Sequence, residues 1–184
     1  MNKNLLLKPN LYRSEVLTDN ENLKLTLDSS RNIFSLNENE DETNKFNRIF
    51  KKFFGFSVPE IAKFKLNDNS IALWSRTKSY IILTDLNLDD LTSTFHGLAS
   101  ITDQTGGWLS FKISGKGSIH LFEKLITINL ENFNEGNVIR TSISKINCFL
   151  LCKNKYNTYY IICPISYYKS MTDRLTNLCR LIEN

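Results

Sequence analysis

The spacing of apolar residues changes several times along this chain, and each change predicts a new element. Leu23, Leu25 and Leu27 alternate with polar residues, as a strand buried on one face requires, and Ile33, Phe34 and Leu36 continue the pattern beyond a turn at residues 29–32. Phe46, Ile49, Phe50, Phe53 and Phe54 then fall at the i, i+3, i+4, i+7, i+8 positions of a helix with one apolar face, which Gly55 ends. After Pro59, apolar runs at residues 61–66, 71–74 and 80–83 predict three strands with tight turns between them. Thr84 or Asp85 stands where it would cap a following helix, whose apolar face is Leu88, Leu91 and Phe95 and whose end is Gly97.

The same order then recurs. Strands are expected at residues 100–103 and 108–113, joined through Gly106-Gly107, followed by a helix at 118–126 and strands at 138–143, 148–152 and 159–163. Pro164 is placed to open a last helix through Leu175, Leu178 and Leu181. Each half thus reads strand pair, helix, three strands, helix, and the segments LWSRTKSYIIL and FLLCKNKYNTYYII are parallel in wording. The repetition predicts an α+β fold of two similar halves, residues 23–98 and 99–184, with antiparallel sheets sharing one core and helices on the outer faces. Residues 1–22 lack a sustained period and are expected to form an extended arm.

Composition narrows the function classes more than it selects one. A chain of 184 residues buries roughly 70% of its unfolded surface, enough for one substantial core. The net charge of +4 is modest and the basic residues are interspersed with acidic ones outside residues 45–52, unlike the clustered excess of a nucleic-acid binder. No apolar run approaches the roughly 18 residues that span a bilayer, and Leu5 to Leu7 are too few for a signal segment, so a cytoplasmic location is expected. The basic, aromatic helix at residues 45–54 has the character of a membrane-surface helix, but its Phe stripe reads first as core. Cys148, Cys152, Cys163 and Cys179 contain no CxxC pair and read as small buried hydrophobes.

Candidate chemistry is sparse. His96 has no nearby ligand-type residue, and His120 has only Glu123 one turn away. No serine sits in a GxSxG elbow. Five of the seven glycines lie between residues 101 and 140, and Gly115-Lys116-Gly117 follows a strand and opens a helix, where backbone amides can cradle a phosphate. The spacing argues against that use: His120 stands where a dinucleotide fingerprint needs glycine, and Gly117 stands where a Walker motif needs serine or threonine. Asp103, beside Gln104 and Thr105, reads as an Asx-type turn. Arg140 interrupts an apolar strand pattern, so it needs either an internal ion pair or a partner.

The order of these pieces resembles one family. Thr102 to Trp108 read T-D-Q-x-G-G-W, with Asp103, Gln104, Gly106 and Trp108 as its distinctive residues; a strand ending at Ser114-Gly115 follows, then a helix carrying Leu121 and Leu125. Asn129-Leu130, Phe133, Gly136 and Arg140-Thr141 come next, and the chain ends with the Phe149-Leu150 and Tyr160 strands, Pro164-x-Ser166 and a last helix. From about Ile71 onward this succession is similar to the gamma subunit of heterotetrameric sarcosine oxidase. The family's proline-bearing turn and tryptophan near the end of the first half are replaced by residues 75–78 and Tyr80.

The resemblance implies a fold like that of folate-binding aminomethyltransferase proteins and a non-catalytic role, docked on the large alpha subunit beside the beta and delta subunits. It also implies that the complex oxidatively demethylates sarcosine to glycine, and that FAD, FMN, NAD, tetrahydrofolate and zinc are held by the other subunits. Catalytic, cofactor and metal residues are not expected in this chain; the eight named here, Asp103, Gln104, Gly106, Trp108, Gly115, Phe133, Gly136 and Arg140, are expected to define the fold or meet a partner. The alternative is a stand-alone folate-binding or aminomethyltransferase-like protein of one-carbon metabolism, for which Asp103 and Arg140 would have to face one ligand.

Overall fold

The computed structural model describes residues 14–182. Eleven strands form two antiparallel sheets among these residues, and four α-helices cover them. In chain order the elements are β1 (Ser14–Asp19), β2 (Lys24–Asp28), β3 (Asn32–Glu38), α1 (Thr43–Phe54), β4 (Phe64–Leu66), β5 (Ser70–Arg76), β6 (Ser79–Thr84) and α2 (Leu88–Thr94). Then come β7 (Ala99–Asp103), β8 (Trp108–Ser114), α3 (Ser118–Leu125), β9 (Val138–Ile143), β10 (Ile146–Asn154), β11 (Thr158–Pro164) and α4 (Tyr168–Leu181).

The sheets are ordered β1-β2-β8-β11-β10-β9 and β4-β5-β6-β3-β7. Apart from β1, the two orders are the same when the halves are matched element by element. The opening strands of each half nevertheless lie in different sheets: β2 pairs with β8 of the second half, and β7 pairs with β3 of the first. The strands joined through Gly106-Gly107 therefore do not pair with each other; that turn carries the chain from one sheet to the other. The first half crosses in the opposite sense between β2 and β3. By exchanging one strand each, the halves become a single body.

Alternation along the strands builds three layers of core. Ile71 and Leu73 of β5, Ile81 and Leu83 of β6, Phe149 and Leu151 of β10 and Ile162 of β11 fill the space between the sheets. Their neighbours in sequence point outward under the helices. Phe34, Leu36, Ile82 and Tyr80 meet Phe46, Phe50 and Phe54 of α1, together with Leu91 and Phe95 around α2. Leu25, Leu27, Phe111, Leu150 and Ile161 meet Leu121 and Phe122 of α3 and Met171 and Leu175 of α4. The Phe stripe of α1 is thus core: Phe46 and Phe50 are fully buried, with ring centroids 5.7 Å apart, and Phe50 stands 6.1 Å from Tyr80. The same burial removes the apolar face that membrane attachment through this helix would need.

Several element ends differ from the sequence reading, for local reasons. The run at 61–66 shortens to β4 because Ala62 turns with φ 57° and Ile61 is left exposed. Asn87, not Thr84 or Asp85, caps α2: its side chain accepts from the Asp90 N–H, and the Asp90 carboxylate accepts from the Asn87 N–H. Thr84 faces inward instead, its hydroxyl 2.8 Å from that of Ser70. Pro164 ends β11 and a 3-10 turn at Ile165–Tyr167 precedes α4. Of the expected arm, residues 1–13 lie outside the described residues, while Ser14 onward is the edge strand β1, paired with β2. No helix among the described residues is long and apolar enough to cross a membrane.

Candidate functional site

The matched hairpins β5–β6 and β10–β11 carry the same irregularity. Pairing slips between Trp74 and Arg76 in the first and between Cys152 and Asn154 in the second, so each hairpin has a bulge just before its turn. A bulge leaves one residue unpaired and re-aims its neighbours. In the first half it brings Ser75 and Arg76 to the rim of a cleft where the two sheets part.

This cleft of about 250 Å³ is lined by Ser35 of β3, Ser75 and Arg76 of β5, Ser79 and Ile81 of β6, Gln104 and Trp108 on either side of the crossing turn, Arg140 of β9 and Phe149 of β10. Three side chains form its apolar-to-cationic wall. The Trp108 and Phe149 ring centroids are 5.8 Å apart at 52°, and the Arg140 guanidinium carbon lies 5.6 Å from the Phe149 ring centroid. Arg140 is held by this cation–π contact, and among the described residues neither it nor Arg76 has a salt bridge. No acidic residue among those described lines the cleft. Its accessible chemistry is two solvent-exposed guanidiniums, the Gln104 carboxamide, the Ser35 and Ser75 hydroxyls and the half-buried Trp108 indole, while the Ser79 hydroxyl donates to Asn37 Oδ1 at 2.6 Å; this suits an anion attached to an apolar body.

The eight residues named from sequence divide into three groups. Gln104, Trp108 and Arg140 meet in this cleft. Asp103, Gly115 and Gly136 shape the backbone, and Gly106 also lies in a turn but, with no left-handed φ and nothing within 4 Å of an added Cβ, does not itself require glycine. Asp103 Oδ1 accepts from the Thr105 N–H at 2.9 Å, and Thr105 Oγ1 accepts from the Ile33 N–H at 3.0 Å, tying the start of β3 to the end of β7, where the chain leaves the sheet. Asp103 is not among the residues that line the cleft with Arg140; its Oδ1 is engaged in this turn. Phe133 is packed in the core, its ring stacked 6.5 Å from Tyr159.

The Gly115-Lys116-Gly117 loop holds its own chain. The Gly115 N–H donates to the Asn157 carbonyl and the Gly117 N–H to the Asn22 carbonyl, so the amides that a phosphate would use at these two glycines are spent. A Cβ on Gly115, whose φ is +122°, would stand 2.1 Å from the Asn22 carbonyl oxygen. Glycine here is a requirement of close backbone approach.

The other titratable candidates are accounted for by packing. His120 is exposed and its Nδ1 is 3.2 Å from Glu123. All four cysteines are buried. Burial pushes the Cys152 thiol up to about 11, and the Cys163 thiol is raised by its hydrogen bond to Cys148 and by burial, so both stay protonated near neutrality. No group of three or more His, Cys, Asp or Glu among the described residues is gathered as a metal site.

Six of the cleft's residues, Ser35, Ser75, Arg76, Ser79, Ile81 and Phe149, are not among the eight candidates named from sequence. Serines in alternating strands carry no local signal, and only the exchanged topology shows that β3, β5 and β6 face β9 and β10 at this point. The parallel wording of the two hairpins is the one clue, since it marks residues 73–83 as a repeated unit.

A duplicated α+β protein, with two antiparallel sheets face to face and helices on both outer surfaces, is the class that this architecture defines. Within that class, the chain has the fold of a subunit of heterotetrameric sarcosine oxidase. The solved structure of that enzyme from Corynebacterium sp. U-96, in complex with pyrrole 2-carboxylate, matches with a TM-score of 0.77 at 14% identity, over 92% of this chain and 89% of the other. Escherichia coli aspartokinase III, in complex with aspartate and ADP, gives a TM-score of 0.40 at 13% identity over 88% of this chain and 34% of that one. The regulatory subunit of aspartate kinase from Thermus thermophilus gives 0.37 at 8% identity, over 84% of this chain and 96% of that one, and both scores are too low to bear on function. No protein-family model matches the chain, and no curated protein is similar to it in sequence.

Proposed function

We propose that this chain is the gamma-type small subunit of a heterotetrameric, flavin-dependent oxidase of sarcosine or a related N-methylated amine, and that it docks on the large alpha subunit. The observation that carries the reading is the fold match at a TM-score of 0.77 covering 92% and 89% of the two chains: the matched subunit and this chain are nearly equal in length and align over almost their whole extents. The order of the T-D-Q-x-G-G-W, Ser114-Gly115, Phe133, Gly136 and Arg140 pieces supports the gamma identity within that complex.

In this reading the chain completes and stabilises the assembly, and the oxidation takes place on flavins held by the other subunits. NAD, tetrahydrofolate and zinc belong to those subunits too, and the beta and delta chains are further partners. Co-expression with the alpha-type chain encoded in the same genome tests the proposal. The two chains should elute together from a size-exclusion column, whereas separate elution at micromolar concentration refutes a stable docked complex.

A further inference from the structure

The cleft between the sheets offers more than a generic docking face, and its residues specify what enters it. Two arginines approach it from different sheets, Arg76 from the bulge of β5 and Arg140 from β9, and no carboxylate among the described residues neutralises either. Two guanidiniums at one concavity, without a salt bridge among the described residues, give it a positive potential that attracts an anion. Trp108, half-buried and tilted at 52° against the buried Phe149, supplies the accessible apolar surface, and tryptophan and arginine are the residue types that most often anchor protein interfaces.

Size decides between occupants. At about 250 Å³ the cleft lies below the usual range of roughly 300–1,000 Å³ for enclosed small-molecule sites, and both arginines are exposed at its mouth. A side chain or two projecting from another protein surface fits this space better than a buried cofactor.

We infer that the cleft is a socket for a partner polypeptide's aspartate or glutamate side chain flanked by an aromatic residue, the carboxylate bridging Arg76 and Arg140 and the ring lying on Trp108. The inference rests on the proposed role as a docked subunit, and it names the chemistry of the contact on the partner's side.

The decisive experiment separates the socket from the complex. In a Trp74→Phe variant, Trp108 is the only indole of the two in the chain. Titrating this full-length protein with the capped dipeptide acetyl-Asp-Phe-amide, at fixed ionic strength, should change the Trp108 emission saturably. Acetyl-Asn-Phe-amide, which lacks the charge, should bind about tenfold or more weakly, and so should the acid peptide to an added Arg140→Gln change. If Trp74→Phe does not fold, the two indole N–H resonances of the wild-type protein provide the same reading, with only that of Trp108 expected to move. Equal responses to the acid and amide peptides, or no response, overturn the socket. In the co-expressed complex, Arg76→Glu with Arg140→Glu should weaken alpha binding at least about tenfold, with the folded chain confirmed by its circular dichroism. A complex that forms normally with both charges reversed overturns the inference while leaving the subunit role standing; failure of the wild-type chains to associate removes the subunit role, and the peptide titration still decides the socket.

Discussion

Gly115 shows how a single residue can be conspicuous in sequence for one reason and indispensable for another. Its neighbours suggest a phosphate loop, yet its φ of +122° and the 2.1 Å that would separate an added Cβ from the Asn22 carbonyl oxygen make it the point where β8 passes the start of β2. Gly115→Ala should destabilise the protein by about 3 kcal/mol or more, because both the backbone and the Asn22 segment must move. Gly106→Ala should change stability by less than about 0.5 kcal/mol, since a Cβ there meets nothing within 4 Å. Urea midpoints of the two variants check the contrast, and equal shifts would contradict it. The buried thiols make a pH prediction. Cys152 rises from 9.0 to about 11 on burial, so the folded chain keeps its proton where the unfolded chain has lost it. Fewer protons bound in the unfolded state means that stability falls as pH rises from about 9 to about 11, and Tyr159, also raised by burial, adds to the fall at higher pH. Unfolding free energies that stay flat between about pH 8 and about pH 10.5 would show that these groups ionise freely.

At the scale of elements, periodicity identifies faces but not partners. The 3.6-residue spacing of Phe46, Phe50 and Phe54 reveals α1 and its buried stripe, because a helix face is a local property. The alternation in Leu23, Leu25 and Leu27 likewise reveals a strand buried on one face, but nothing local says which strand lies beside it; β2 crosses to β8 of the other half. The cap of α2 is ambiguous in sequence for a similar reason, since Thr84, Asp85 and Asn87 are all competent capping residues; Thr84 turns inward, and the reciprocal bonds of Asn87 with Asp90 set the start of the helix. The cleft is legible in part: Gln104, Trp108 and Arg140 stand out by type or by interrupting a pattern, whereas Ser35, Ser79 and the bulged Ser75-Arg76 become meaningful only once the sheets are stacked. Packing of α1 is open to direct test. Phe50 is fully buried and touches Phe46, Phe54, Phe56, Tyr80 and Phe95, so Phe50→Ala should cost about 3–5 kcal/mol in urea unfolding. A loss under about 1 kcal/mol would mean that this stripe is not core.

For the whole molecule, strand exchange is what turns two similar halves into one frame. Each sheet contains a strand of the other half, so the outer helices, the core between the sheets and the cleft at their mouth are all fixed relative to one another. A frame of this kind suits a chain whose work is to present a preformed surface, and it is the fold that a subunit of heterotetrameric sarcosine oxidase shares over nearly its full length. A docked subunit and a free chain differ in native mass, so weighing the assembly distinguishes them. When this 21.3 kDa chain is co-expressed with the alpha-, beta- and delta-type chains of the same genome and the peak containing alpha is weighed by native mass spectrometry, the account predicts one assembly with a single copy of each of the four chains. Recovery of this chain only at 21.3 kDa, beside an assembly of the other three, would contradict it.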